Sequence, residues 1–396
     1  AFLGEGFAAQ MLAVAVGWQV YEISGDPLDL GLIGLAEFLP LLLLALPAGQ
    51  LADHVSRRLI YAVAIVVELG VALVLALLTL NGPSQVWPFF ALAFAIGVAG
   101  AAGAPASRAI TPTLVPAGLL ARALALRSVA FQVAAVSGPA VGGILFALEP
   151  VSVYVVAAVL CAGAAGCVLA MHERGTARRA DTRALSLSSV LEGVRFIRRT
   201  PVLLGAISLD LFAVLLGGAV ALLPIFAQDV LHVGPAGLGV LRSAPAVGAL
   251  LAAVVLTRRP VGGNAGRKLL VAVALFGAST VVFGLSRSLW LSVAALAVAG
   301  AVDMVSVNLR MTLVALVPPD EVRGRVMAVE MVFISASNEL GAFESGLAAA
   351  LIGAVPAVVV GGVATIAVAL VWTRLFPALA RVDRLESLRP AVEAVD

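Results

Sequence analysis

The chain has 396 residues, of which 62% are hydrophobic and 12% charged, and its formal net charge is +2. Soluble domains carry about a quarter charged residues, so this composition excludes an ordinary water-soluble fold, and so small a net charge gives no footing for nucleic acid. The two cysteines, Cys161 and Cys167, share one apolar stretch but not one helical face, so they read as small apolar residues rather than a disulfide.

A membrane helix needs about 20 mostly apolar residues. Punctuation by Gly, Pro and charge predicts twelve spans, over 1–22, 30–52, 59–80, 87–110, 122–147, 151–171, 202–228, 236–257, 268–285, 289–316, 323–351 and 355–376. Spans this long exclude a membrane barrel, whose strands are short and alternating. The chain opens AFLGEGF, without methionine and already apolar, which reads as a start inside the first span with no signal peptide. The longest polar stretch, 172–200, divides the spans six and six. Within it, LSSVLEGVRFIRR sets Val190, Leu191, Val194 and Ile197 at helical spacing, which predicts an amphipathic helix on the inner membrane surface. The expected organisation is a six-helix bundle over 1–171, a linker over 172–200, a second bundle over 201–377 and a tail over 378–396.

Lys and Arg in short loops orient such a chain. Of the 25 in this sequence, Arg287 alone falls after an odd-numbered span, and Arg108, Arg242 and Arg310 lie deep within spans. The other 21, Arg127 among them, fall in the loops after even-numbered spans, at the span ends that border those loops, or in the tail. This places both termini in the cytoplasm. The halves also match weakly. PASRAITPTLVP (105–116) aligns with VNLRMTLVALVP (307–318), pairing Arg108 with Arg310. GLAEFLP (34–40) aligns with GVLRSAP (239–245), setting Glu37 opposite Arg242, and the same offset puts Glu5 on Asp210. A duplicated six-helix unit is a transporter architecture, with the binding site between repeats.

Between the second and third spans stands GQLADHVSRR (49–58). It resembles the G-x-L-A-D-R-x-G-R-[RK] loop of the major facilitator superfamily, through Gly49, Asp53, Arg57 and Arg58. His54 and Ser56 depart from that pattern. The fifth span carries AAVSGPAVGG. It resembles the family's antiporter motif through Gly138, Pro139, Gly142 and Gly143, with Ala134 at the first glycine position. The loop TRRPVGGNAGRK is a degenerate second copy of the first motif, without its aspartate. Along nearly the whole chain the sequence is similar to the branch holding the enterobactin exporter and macrolide and multidrug efflux pumps. The resemblance implies an all-α membrane protein of twelve helices in two pseudo-symmetric bundles. It further implies a cytoplasmic latch in which Asp53 sits near Asp320–Arg323, an exporter-type fifth helix, and a central cavity lined by helices other than 3, 6, 9 and 12.

An ionisable side chain near the bilayer centre costs about 2.5–3.5 kcal/mol on insertion scales. The spans nevertheless hold Glu5, Glu37, Glu68, Arg108, Asp210, Arg242, Asp303, Arg310, Glu330, Glu339 and Glu344. In the family's arrangement only Glu68 falls on an outer helix. Acids outnumber arginines, so pairing leaves carboxyls over, and desolvation favours a neutral carboxyl in general. A carboxyl that takes up and releases a proton as the cavity alternates is what proton coupling needs. Glu5 and Asp210 are the first candidates, then Glu37, Glu339 and Glu344. Arg108, Arg310, Arg242 and Asp303 are expected as cavity ion-pair or substrate groups, with Glu330 as a gate residue. Phe38 and Phe212 are expected to stack on a substrate ring or to pack.

These residues predict a proton-coupled exporter of small amphipathic molecules such as drugs or siderophores, working by alternating access in the bacterial cytoplasmic (inner) membrane as a monomer. Its partners are then cargo, protons and lipid, with no cofactor beyond the proton gradient. A same-fold importer or lipid transporter is the alternative, and a non-transporting receptor or scaffold a further one. The three histidines, His54, His172 and His232, are too scattered for a metal site, and no nucleophilic triad or phosphate loop points to an enzyme.

Overall fold

A computed structural model describes residues 1–171, 187–259 and 262–383, with backbone alone for 45–54, 117 and 187–190. Hydrocarbon offers backbone amides no water, so a spanning chain closes its hydrogen bonds within each helix. The spans are α1 (Phe2–Ser24), α2 (Pro27–His54), α3 (Arg57–Leu80), α4 (Trp87–Leu114), α5 (Leu120–Leu148), α6 (Pro150–Leu169), α7 (beginning Pro201–Gly217), α8 (Gly234–Arg258), α9 (Ala265–Leu285), α10 (Leu289–Leu316), α11 (Asp320–Ile352) and α12 (Ala354–Leu375). A separate helix, Leu187–Arg199, precedes α7.

Among the described residues, 11 spans are long and apolar enough to cross a membrane. α1 is the helix that falls short, because Glu5, Gln10, Gln19 and three interior glycines dilute its apolar residues. Each of those polar side chains has a packing or hydrogen-bonding role described below.

The seventh span departs from the single helix expected over 202–228. It is α-helical to Gly217, then passes through a 3-10 turn (Ala219–Leu222) and a short helix (Leu223–Ile225) into a π-turn (Phe226–Val230). Adjacent glycines at 217 and 218 withdraw side-chain support. Pro224 then has no N–H to continue the ladder.

By internal contacts the chain forms two compact units. One is Ala1–Ala184 with Ala221–Ser243, and the other is Leu185–Val220 with Ala244–Asp396. Helix pairing repeats between them. In the first, α1 packs on α5, α2 on α4, and α3 on α6; in the second, α7 packs on α11 and α9 on α12. The α2–α4 crossing has its counterpart in α8–α10. A Cβ on Gly97 would stand 2.2 Å from the Glu37 carbonyl oxygen, and one on Gly300 would stand 2.0 Å from that of Pro245. Helices that approach backbone to backbone in this way admit only glycine at the contact.

The helix Leu187–Arg199 is docked on the second unit. Ile197 is buried with Leu203, Val326 and Val329, and a Cβ on Gly193 would meet the Arg325 carbonyl at 2.9 Å. Val194 packs at the margin of that core. Leu191, expected on the apolar face, is 56% exposed. The helix turns its Gly193–Ile197 side inward, which puts Leu191 on the opposite stripe.

Candidate functional site

In the second unit, three helices bring ionisable groups together in the interior. Arg310 on α10 is 2% exposed, Glu330 on α11 is 2% exposed and Asp210 on α7 is 8% exposed. The Arg310 guanidinium pairs with Asp210 through Nη1 and donates from Nε to Glu330 Oε1 at 3.1 Å. Asp303 and Ser306 lie on the Arg310 face of α10, at helical spacing. With Asp210 and Phe276 they line a small cavity, with room for about one water. Two carboxyls thus pair with one guanidinium, and a third, Asp303, lines the same cavity as Asp210 within range of the Arg310 charge. Excellent geometry is what such a buried group needs, because desolvation of both partners offsets much of the attraction.

In the first unit the corresponding helices make a different cluster. Tyr61 on α3, 2% exposed, donates its hydroxyl proton to Glu5 on α1. Arg127 on α5 donates to the Ser107 carbonyl at 2.5 Å and to the hydroxyls of Thr111 and Ser107 at 3.1 Å each. Its guanidinium carbon lies 4.1 Å from the centre of the Phe2 ring, a cation–π contact. Glu5 and Arg127 attract each other, while Glu68, further along α3, is close enough to Glu5 to repel it. A third polar group ties α1 to α3 and α6. Gln19 bonds Thr79 at 3.1 Å and accepts from the buried Tyr154 hydroxyl at 2.6 Å.

The antiporter-type glycines of α5 sit at close crossings. Cβ atoms on Gly138 and Gly142 would stand 2.7 Å from Gln10 Cβ and 2.8 Å from Met11 Cα on α1. Across the helix, a Cβ on Gly143 would lie 2.4 Å from the Pro235 carbonyl, and one on Gly239 would lie 2.4 Å from that of Pro139. Pro139 frees a carbonyl within α5, and its neighbours let α1 and α8 close on both sides.

The remaining candidates lie on several other helices. Arg108 is exposed, unlike its sequence match Arg310. Arg242 Nη1 reaches the Ala13 carbonyl at 3.5 Å. Glu37, Glu339 and Glu344 are half-buried, and Phe38 is buried on α2. Phe212 packs edge-on against Trp372 of α12 at 5.4 Å, within a group that includes Phe376. Of the loop motif, Gly49 and Asp53 end α2 with side chains outside the described residues, while Arg58 donates to the Met171 carbonyl at 2.6 Å. Arg323 pairs with Asp320 of its own helix at 2.5 Å. Linker residues 172–186 and tail residues 384–396 also lie outside the described residues.

Sequence reasoning counted Arg127 among loop charges and left Tyr61, Ser107 and Gln19 unremarked. The internal repeat held a signal for Arg127. Its offsets of 202 and 205 residues bracket the pairing of position 127 with Glu330.

A family model described as transmembrane secretion effector matches residues 4–392. The multidrug efflux pump Tap of Mycolicibacterium fortuitum is 27% identical over 358 residues, 87% of each chain. An uncharacterised MFS-type transporter of Bacillus subtilis, YfiS, is 24% identical over 273 residues, covering 67% of this chain and 62% of its own. Among solved structures, a variant of the nucleoside transporter NupG superposes with a TM-score of 0.77 at 12% identity, over 95% of this chain and 97% of that one. A bacterial homologue of the human lysosomal transporter Spinster gives 0.75 at 14% identity, over 99% and 97%. At such identities the solved structures establish the fold alone. The chain belongs to the transmembrane secretion effector family, and it is a multi-pass membrane transporter of the major facilitator superfamily.

Proposed function

We propose that this transporter is a proton-coupled exporter of small amphipathic molecules, and that the buried Asp210–Arg310–Glu330 cluster with Asp303 is its proton-carrying site. The observation that carries the reading is the excess of acid. Arg310 can balance one carboxylate, and two others share its low-dielectric surroundings. Full ionisation would leave uncompensated charge at a cost of several kcal/mol, so proton uptake is the inexpensive way to relax the cluster. Glu5, hydrogen-bonded to Tyr61 and attracted by Arg127, is the first unit's candidate for the same chemistry. Glu37, Glu339 and Glu344 are secondary candidates. Arg108 and Arg242 are the candidates to meet an anionic group on cargo.

Export is supported by the efflux function in the name of the relative Tap and by the α5 glycine–proline motif. In this reading cargo enters from the cytoplasm, where both termini lie, the halves alternate about the binding site, and protons entering from outside drive the cycle without a cofactor. The bacterial cytoplasmic membrane is the setting, and a monomer suffices. The GQLADHVSRR loop serves as the cytoplasmic latch.

The test is efflux of a fluorescent cation such as ethidium from energised cells, with and without a protonophore. Accelerated loss that collapses with the protonophore and is abolished by Asp210→Asn supports the reading. Efflux indifferent to both overturns it. Uptake of the dye into the same cells would favour an importer.

A further inference from the structure

We infer that the helix Leu187–Arg199 is a binding site for anionic phospholipid headgroups, fixing the second unit to the charged leaflet. The helix is pinned along one side only. Gly193 and Ile197 face α11 and the unit's core, and Glu192 is ion-paired with Arg325 of α11. On a helical wheel Leu191, Arg195 and Arg198 fall on the opposite side, with Arg199 at its margin. All four are exposed.

An apolar residue among arginines, on a helix lying where spans end, has the character of an interfacial anchor. The leucine enters the acyl boundary while the guanidiniums meet phosphate, bidentately where geometry allows. Arg199 is separated only by Thr200 from Pro201, where α7 starts, so the stripe sits at the rim of the bundle rather than out in solvent.

Charge at this rim points the same way. Arg267, Lys268 and Arg381 are exposed on the same end of the unit, where Asn264 and Gly266 bond the Asp383–Val382 segment. Of the acids at this rim, Glu192 and Asp320 are engaged by arginines of α11 and Asp383 by the Asn264 amide, which leaves exposed Glu321 against the six basic residues. The preceding linker, HERGTARRADTRALS (172–186), is itself net positive, which argues against its covering the stripe. Each basic residue near an anionic surface is worth roughly fivefold in binding.

The anchor matters because the helix grips α11 beside Glu330. The contact runs through Arg325 and Val329, one residue before the buried acid. The inference concerns lipid alone and stands whether or not the protein exports.

The experiment uses the full chain in nanodiscs of phosphatidylcholine with one quarter phosphatidylglycerol. Native mass spectrometry counts the anionic lipid retained on release. Wild type should keep phosphatidylglycerol over phosphatidylcholine. The variant Arg195→Gln/Arg198→Gln/Arg199→Gln should lose most of that excess, while Arg287→Gln keeps it. Equal retention by the triple variant and wild type overturns the inference. If the triple variant fails to fold, judged by its Tm in pure phosphatidylcholine, Leu191→Glu replaces it with the same expectation. A third outcome also overturns it: no excess in the intact chain but excess in a chain ending at Asp383, which would mean that the acidic tail 384–396 occupies the stripe.

Discussion

Arg127 and Glu330 occupy matching places in the repeat, on α5 and α11, and carry opposite charge. In the first unit the base comes from α5 and the acid, Glu5, from α1. In the second the base is Arg310 of α10, and α7 and α11 both supply acids. The acid of the first helix is kept in both units, but the base that faces it comes from α5 in one and α10 in the other, so the two units differ in buried charge even where their helices correspond.

Removing Arg310 should be the most damaging single change in this cluster. Arg310→Ala strands Asp210 and Glu330, and loss of one partner from a buried pair costs about 3–5 kcal/mol. The expected result is a large fall in Tm in detergent. It should be partly restored by adding Asp210→Asn and Glu330→Gln, because the triple change leaves no buried charge at the cluster.

Asp210→Asn and Glu330→Gln should differ in kind from that change. Each lowers the acid excess while Arg310 keeps one carboxylate partner, so thermal stability should shift by no more than about 1–2 kcal/mol. Protonophore-sensitive dye efflux should fall to background in Asp210→Asn. A normal proton-driven rate with Asn at 210 would remove the residue from the coupling mechanism.

The α5 glycines predict a sharp positional contrast. In Gly143→Ala the new methyl would press on the Pro235 carbonyl at 2.4 Å, and strain of this kind costs about 1–3 kcal/mol. In Gly163→Ala on α6 nothing lies within 4 Å of the new Cβ. That change should be neutral or stabilise by up to about 1 kcal/mol. Paired melting curves of the two variants check both.

Tyr154→Phe removes a fully buried donor and leaves Gln19 Oε1 with the Thr79 bond alone. Losing one of two hydrogen bonds at a buried oxygen costs about 0.5–1.5 kcal/mol. Melting should register that loss, and Gln19→Leu/Tyr154→Phe, which removes both ends, should recover part of it.

Much of the fold was legible because lipid imposes one simple demand. Apolar length marked the spans, and the offset between halves anticipated the repeated helix pairing. The break after Gly217 was not legible. An apolar run of 202–228 satisfies the same hydropathy whether or not its hydrogen-bond ladder is continuous. Membership in the cluster was half legible. Asp210, Asp303 and Arg310 stood out as costly charges in spans, and so did Glu330, but its place in the first half of α11 suggested a gate rather than a partner for Arg310. Arg127 looked like a loop charge because it lies in the first turns of α5, and its interior role comes from partners distant in sequence, Ser107, Thr111 and the Phe2 ring. Arg108 is exposed where its match Arg310 is buried, so a matched position in the repeat does not carry its burial across.

The seventh span leaves one unit and joins the other close to where its helix gives way. The Val214 and Leu216 carbonyls press on Gly341 of α11 and Gly361 of α12, whereas Pro224 rests against Gly17 of α1. Since no hydrogen-bond ladder runs unbroken across Gly217–Gly218, torque applied to one stretch is not relayed stiffly to the next. Spin labels at Leu204 and Val230 should therefore report independent displacements, the former moving in step with α11 and the latter in step with α1.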